Sequence, residues 1–96
     1  MHNQVLTAEE MSTLMANSRA QGLLPLLTIY EKPKDFPRQF VGRVFIVGHP
    51  AKKAPIATNK ILLADTLEAI KSQIPPDLTC LKREIGDDPR IVETWL

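Results

Sequence analysis

Ninety-six residues, 44% apolar and 24% charged with a net charge of +1, describe one domain over 1–96, too short for two cores and too balanced for a disordered tail or a strongly basic nucleic-acid module. The single cysteine, Cys80, excludes an internal disulfide framework and fits a reducing, cytoplasmic setting. The chain opens without the basic-then-apolar profile of a signal peptide, and no apolar run approaches the roughly 18 residues that cross a bilayer, so no membrane contact is expected.

In chain order, the first element is a helix over 8–20. Thr7 and Glu10 have the spacing of a capping box, in which each side chain satisfies the other's backbone N–H. Leu6 and Met11 stand where a hydrophobic staple would brace that cap. Met11, Leu14, Met15 and Ser18 recur at helical spacing, and Gly22 supplies the stop.

Two apolar runs then flank a polar tip in Leu26–Val47, which reads as a β-hairpin. Pro25 delays the first strand to Leu26–Glu31, with Leu26, Thr28 and Tyr30 on one side and Leu27, Ile29 and Glu31 on the other. Pro33 and Pro37 shape the tip. The return strand, Phe40–Val47, is apolar on both sides apart from Gly42 and Arg43, so it needs cover on both.

Residues 48–59, with Pro50 and Pro55, read as a loop, and Lys60–Ala64 fits either a strand or a helix start. Asp65 and Glu68 have capping-box spacing ahead of Leu67, Ile70 and Ile74, and Pro75-Pro76 ends the pattern, so a second helix is expected over 66–74. Leu78–Arg83 reads as a short extended segment, Gly86–Pro89 as a turn and 90–96 as a last strand. The expected fold is α+β: a small three-stranded, largely antiparallel sheet, made of hairpin 26–47 and strand 90–96, packed with two helices.

The stretch from Thr28 to Arg43, TIYEKPKDFPRQFVGR, resembles the opening of a group of small bacterial and phage-associated hypothetical proteins. Members of that group share a Thr-x-Tyr strand, a Pro-x-Asp-aromatic-Pro tip and an aromatic-Val-x-Arg return. Ala64–Ile70, the Pro75-Pro76 stop and the ending Asp87–Leu96 are similar to later parts of the same group. The resemblance covers about a third of the chain, in order. It implies a fold and a bacterial or phage source, and no mechanism. Two departures stand out. Residues 1–22 have no counterpart there, which makes them a candidate N-terminal helical addition, and Val44-Phe45 stands where a tryptophan is expected.

Catalytic and metal signatures are not visible. The two histidines, His2 and His49, and Cys80 lack any motif spacing, so a Cys80–His49 pair carries little weight. Asp87-Asp88 belongs first to a turn, and no EF-hand, C-x-x-C or H-E-x-x-H pattern is present. No enzyme, cofactor or metal is therefore expected.

Two binding readings remain. If the last strand joins the hairpin, Tyr30, Arg43, Glu93 and Trp95 could share one face, and tryptophan, tyrosine and arginine dominate protein interfaces. That favours a protein-binding or self-associating module, with a homodimer as its simplest form. The alternative is nucleic-acid binding through the basic segment Lys32–Lys60. Residues 1–60 carry eight basic against four acidic side chains, whereas 61–96 carry four against seven. Lys32, Lys34, Arg38, Lys52 and Lys53 would meet phosphates, with Phe36 and Phe40 stacking on bases.

Overall fold

A computed structural model describes residues 2–48, 54–82 and 89–96. The chain is α+β, as expected, with two helices among the described residues, but the sheet is larger and mixed. Its elements are β1 (Gln4–Val5), α1 (Ala8–Ala20), β2 (Leu24–Glu31), β3 (Phe40–Val47), β4 (Ile56–Ala64), α2 (Leu67–Lys71), β5 (Cys80–Lys82) and β6 (Ile91–Trp95). The expectation of three strands is corrected to six, in the order β1-β4-β3-β2-β6-β5. β1 runs parallel to β4, and every other described pairing is antiparallel.

Helix α1 begins and ends as its sequence dictates. The Glu10 N–H donates to Thr7 Oγ1 at 3.1 Å, and the Thr7 N–H donates back to Glu10 Oε1 at 2.9 Å. At the other end Gly22 takes φ +78°, so the Leu23 N–H reaches the Ser18 carbonyl and the Gly22 N–H that of Arg19. These are the two bonds of a Schellman stop, which favours glycine because a Cβ crowds the left-handed backbone. Thr7→Ala is expected to cost about 1 kcal/mol through loss of the cap, read as a lower urea midpoint at unchanged slope.

The second helix departs from expectation in its start and its length. Its N-cap is Thr66, whose hydroxyl accepts from the Ala69 N–H at 3.1 Å. Asp65, expected to cap it, instead accepts from Gln39 Nε2 at 3.4 Å. Beyond Lys71 the chain tightens into i→i+3 bonds, Gln73 N–H to Ile70 O and Ile74 N–H to Lys71 O, before Pro75.

β1 was not expected, and β4 was only partly so. β1 is two residues long and prolongs its pairing through the Leu6 N–H, which donates to the Ile61 carbonyl at 2.8 Å. β4 covers Ile56–Ala64, so part of the expected loop, and the ambiguous Lys60–Ala64, are strand. Between the pairs Arg43↔Ile61 and Phe45↔Ala57, two steps along β3 face four along β4. Thr58 holds that irregularity: its hydroxyl donates to the Val44 carbonyl at 2.7 Å and accepts from the Lys60 N–H at 3.2 Å. The expected turn over Gly86–Pro89 lies mostly outside the described residues.

Both helices pack on one face of the sheet. Met11 and Met15 of α1 and Ile70 of α2 join Leu27, Ile29, Val44 and Leu62 in a single core cluster. Gly42 sits on this face, opposite Ile29 and Leu62. A Cβ there would stand 3.0 Å from Ile29 Cδ1 and 3.2 Å from Leu27 Cδ1. Gly42→Val is therefore expected to destabilise by about 1–3 kcal/mol through overpacking, measured as a lower urea midpoint. Gly42→Ala is expected to cost less, because both contacts are the ends of flexible side chains.

Candidate functional site

Side chains alternate along a strand, so the register decides which residues share a face. Leu27 stands opposite Val44 and Trp95, and Ile29 opposite Gly42 and Glu93. Glu93 and Trp95 therefore lie on the helix-covered face. Thr28 stands opposite Arg43 and Thr94, and Tyr30 opposite Val41 and Ile91. Tyr30 and Arg43 are thus on the other face, where no described helix packs. The expected constellation of four is split two and two.

The covered pair is part of the interior. Trp95 packs against the core, and its indole Nε1 is buried with no hydrogen-bond partner among the described residues. Glu93 lies 3.7 Å from Lys71 Nζ of α2, and its Oε2 accepts from the Cys80 thiol at 3.2 Å. Arg43 neither pairs with Glu93 nor stacks on Trp95, because the sheet lies between them.

On the open face Arg43 is a junction of three segments. Its Nη1 donates to Asn3 Oδ1 at 3.0 Å and to the Thr58 carbonyl at 2.8 Å. Its Nη2 meets Asp35 Oδ2 at 3.5 Å, a long contact to a carboxylate half exposed at the hairpin tip. The guanidinium thereby ties the N-terminal segment and the tip to the irregular stretch of β4. Its side chain is only 17% exposed, so what it offers to a partner is an edge rather than the whole group.

Two hollows adjoin on this face, and Tyr30 lines both. One, of about 140 Å³, is bounded by Tyr30, Pro33, Asp35, Val41 and Arg43. The other, of about 230 Å³, is bounded by Leu26, Thr28, Tyr30, Phe45, Pro55, Ile91 and Thr94. The first is polar on one wall and the second mostly apolar, with the Thr28 and Thr94 hydroxyls 3.5 Å apart at its floor. Sequence reading missed Leu26, Phe45 and Ile91. The alternation that puts Leu26, Thr28 and Tyr30 together was visible, but the partner strand's register was not.

A larger hollow of about 420 Å³ runs beside α1, lined by Leu6, Glu9, Glu10, Thr13, Leu14, Asn17 and Lys60. Two of its polar groups hold the fold: Glu10 closes the helix cap and Lys60 bonds Gln4 Oε1. It offers neither an aromatic side chain nor an arginine, so its size does not make it the better site.

The basic residues scatter. Lys32, Lys34 and Arg38 are exposed at the tip, Lys32 in the left-handed region at φ +46°, with its N–H donating to the Gln39 carbonyl. Phe36 is half buried beside them, but Phe40 packs against the core and is turned away from any stacked base. Lys52, Lys53, His49 and Asp87-Asp88 lie outside the described residues. Among the described residues, no three His, Cys, Asp or Glu side chains converge as a metal would need, and no helix is long and apolar enough to cross a membrane. Comparison with family models, with curated proteins and with solved structures finds no match to the chain.

Proposed function

We propose that this protein is a non-enzymatic protein-binding module whose docking surface is the face of the sheet around Tyr30 and Arg43, on which no described helix packs. The observation that carries this reading is the pair of adjoining hollows sharing Tyr30, with Arg43 on one side and Leu26, Phe45 and Ile91 on the other. Tyrosine and arginine next to an apolar depression are the residues that concentrate binding energy in protein interfaces. The rigidity of β2, paired on both edges, means little ordering entropy is lost when a partner docks.

The setting proposed with it is a bacterial or phage cytoplasm, on the hairpin's resemblance and the single thiol. Self-association is the simplest version of the reading. Light scattering across micromolar concentrations should then give a mass near twice the 10.8 kDa of one chain, falling to a single chain in Phe45→Glu. A strict monomer would remove the homodimer and leave a different protein as the partner.

A nucleic-acid reading draws on one feature, the exposed Lys34 and Arg38 at the tip. It requires binding to single-stranded DNA or RNA that falls steeply with salt. No mobility shift at low salt would end it.

A further inference from the structure

We infer that the partner segment is acidic and apolar together: a carboxylate that reaches Arg43 in the smaller hollow beside an apolar side chain that fills the larger one. The inference rests on the docking face proposed above and names the chemistry of its occupant.

Charge complementarity points this way. Between Glu31 and Arg43 the chain carries four basic side chains, Lys32, Lys34, Arg38 and Arg43, against Glu31 and Asp35. All but Arg43 are exposed, so the hairpin tip, whose Pro33 and Asp35 line the smaller hollow, forms a net-positive, solvent-facing rim next to it. Such a rim attracts and orients an anionic partner.

The state of Arg43 sharpens the choice. Both acceptors on its Nη1, the Asn3 side-chain oxygen and the Thr58 carbonyl, are neutral. Among the described residues its charge is met only by Asp35, through Nη2 at 3.5 Å. A charge-assisted bond of this type normally closes to about 2.7–2.9 Å. The guanidinium therefore has a donor held at the limit of contact, with a half-exposed carboxylate standing where a partner's carboxylate would bind more closely. Asp35 acts as an internal competitor, and a docking acid would displace it towards solvent.

The wall shared through Tyr30 makes the demand twofold. An isolated carboxylate would gain little against Asp35, since exposed ion pairs contribute weakly. A carboxylate carried next to an apolar residue adds burial against Leu26, Phe45 and Ile91, and that burial supplies the affinity. A nucleic-acid strand fits less well, because Asp35 opposes phosphate and Phe40, the aromatic nearest the tip on β3, faces the core.

The test is a titration of the ¹⁵N-labelled full chain, followed by NMR, with three probes: a short acetylated peptide alternating glutamate with leucine, the same peptide with glutamine for glutamate, and a single-stranded DNA oligonucleotide of like charge. The glutamate peptide should move the amides of Tyr30, Val41, Arg43 and Phe45 and leave α1 unmoved. It should bind about fivefold or more tightly than the glutamine peptide, as expected for one desolvated charge pair. Asp35→Asn should tighten it about threefold by removing the weak internal ion pair. Equal binding of both peptides at this face would overturn the acidic inference and spare the docking reading. Shifts from neither peptide would overturn both, and a steeply salt-dependent shift by the oligonucleotide alone would replace them with nucleic-acid binding.

Discussion

Met15→Ala is expected to lower stability by about 2–5 kcal/mol, the range for truncating a long side chain in a packed core. Met15 and Met11 are 1% and 0% exposed, and they bring α1 onto Leu27, Ile29, Val44 and Leu62. A domain of this size has about 5–15 kcal/mol in total, so the single change should move the urea midpoint far while leaving the slope unaltered. The same geometry bears on residues 1–22, the stretch without a counterpart in the resembling group. Removing them takes away α1 and the β1 edge that pairs with β4, and uncovers the part of the packed sheet face that α2 does not cover. The shortened chain is expected to lose its cooperative transition. If it instead unfolded sharply, with near-native circular dichroism, the N-terminal segment would be an appendage on a self-sufficient core.

Arg43→Ala is the second large effect, and it acts on the open face. The truncation strands the Thr58 carbonyl and Asn3 Oδ1 without their shared donor and frees Asp35 at the tip. The expected cost is about 1–3 kcal/mol, set by the partly buried acceptor left without its bond. Hydrogen exchange should localise the damage, with faster exchange in β1, the tip and the Thr58 irregularity and little change in α1. Arg43→Lys should recover only part of the loss, since a single ammonium cannot span acceptors on both sides as a planar guanidinium does. Uniformly faster exchange throughout the chain would contradict this local role. Because Arg43 supports the fold, Asp35→Asn is the cleaner variant for reading its part in binding.

The elements legible in the sequence are those whose causes are local. Thr7, Glu10 and Gly22 specify both ends of α1 through bonds within a few residues. The hairpin is marked by two apolar runs around a proline-rich tip, and its strands pair in register from Leu24↔Val47 to Glu31↔Phe40. The C-terminal strand was readable for the same reason. The second helix was found, but its cap was misassigned by one position, because Asp65 and Thr66 are both good caps and the backbone at Thr66 is the one that adopts the extended cap geometry.

What escaped is non-local. β1 has only Gln4 and Val5, too few residues to show a period, and it exists because β4 offers it an edge. β4 hid its strand behind Thr58, Asn59 and Lys60, a polar interruption that the irregular pairing with β3 accommodates. The candidate interface failed at the same level. Chemistry alone brought Tyr30, Arg43, Glu93 and Trp95 together, whereas the pairing of β2 with β6 sent Glu93 and Trp95 under the helices. Read by strict alternation, that last strand puts apolar residues on both sides, Ile91 and Trp95 on one, Val92 and Leu96 on the other, so its own pattern is silent about which faces inward. The register shift at Ile29/Tyr30 then sends Ile91 to the open face and leaves Trp95 on the covered one. The sequence by itself determined helix ends, hairpin and the identity of the chemistry available. Only tertiary structure decided the faces, because a shift of one residue in register exchanges every side chain between core and solvent.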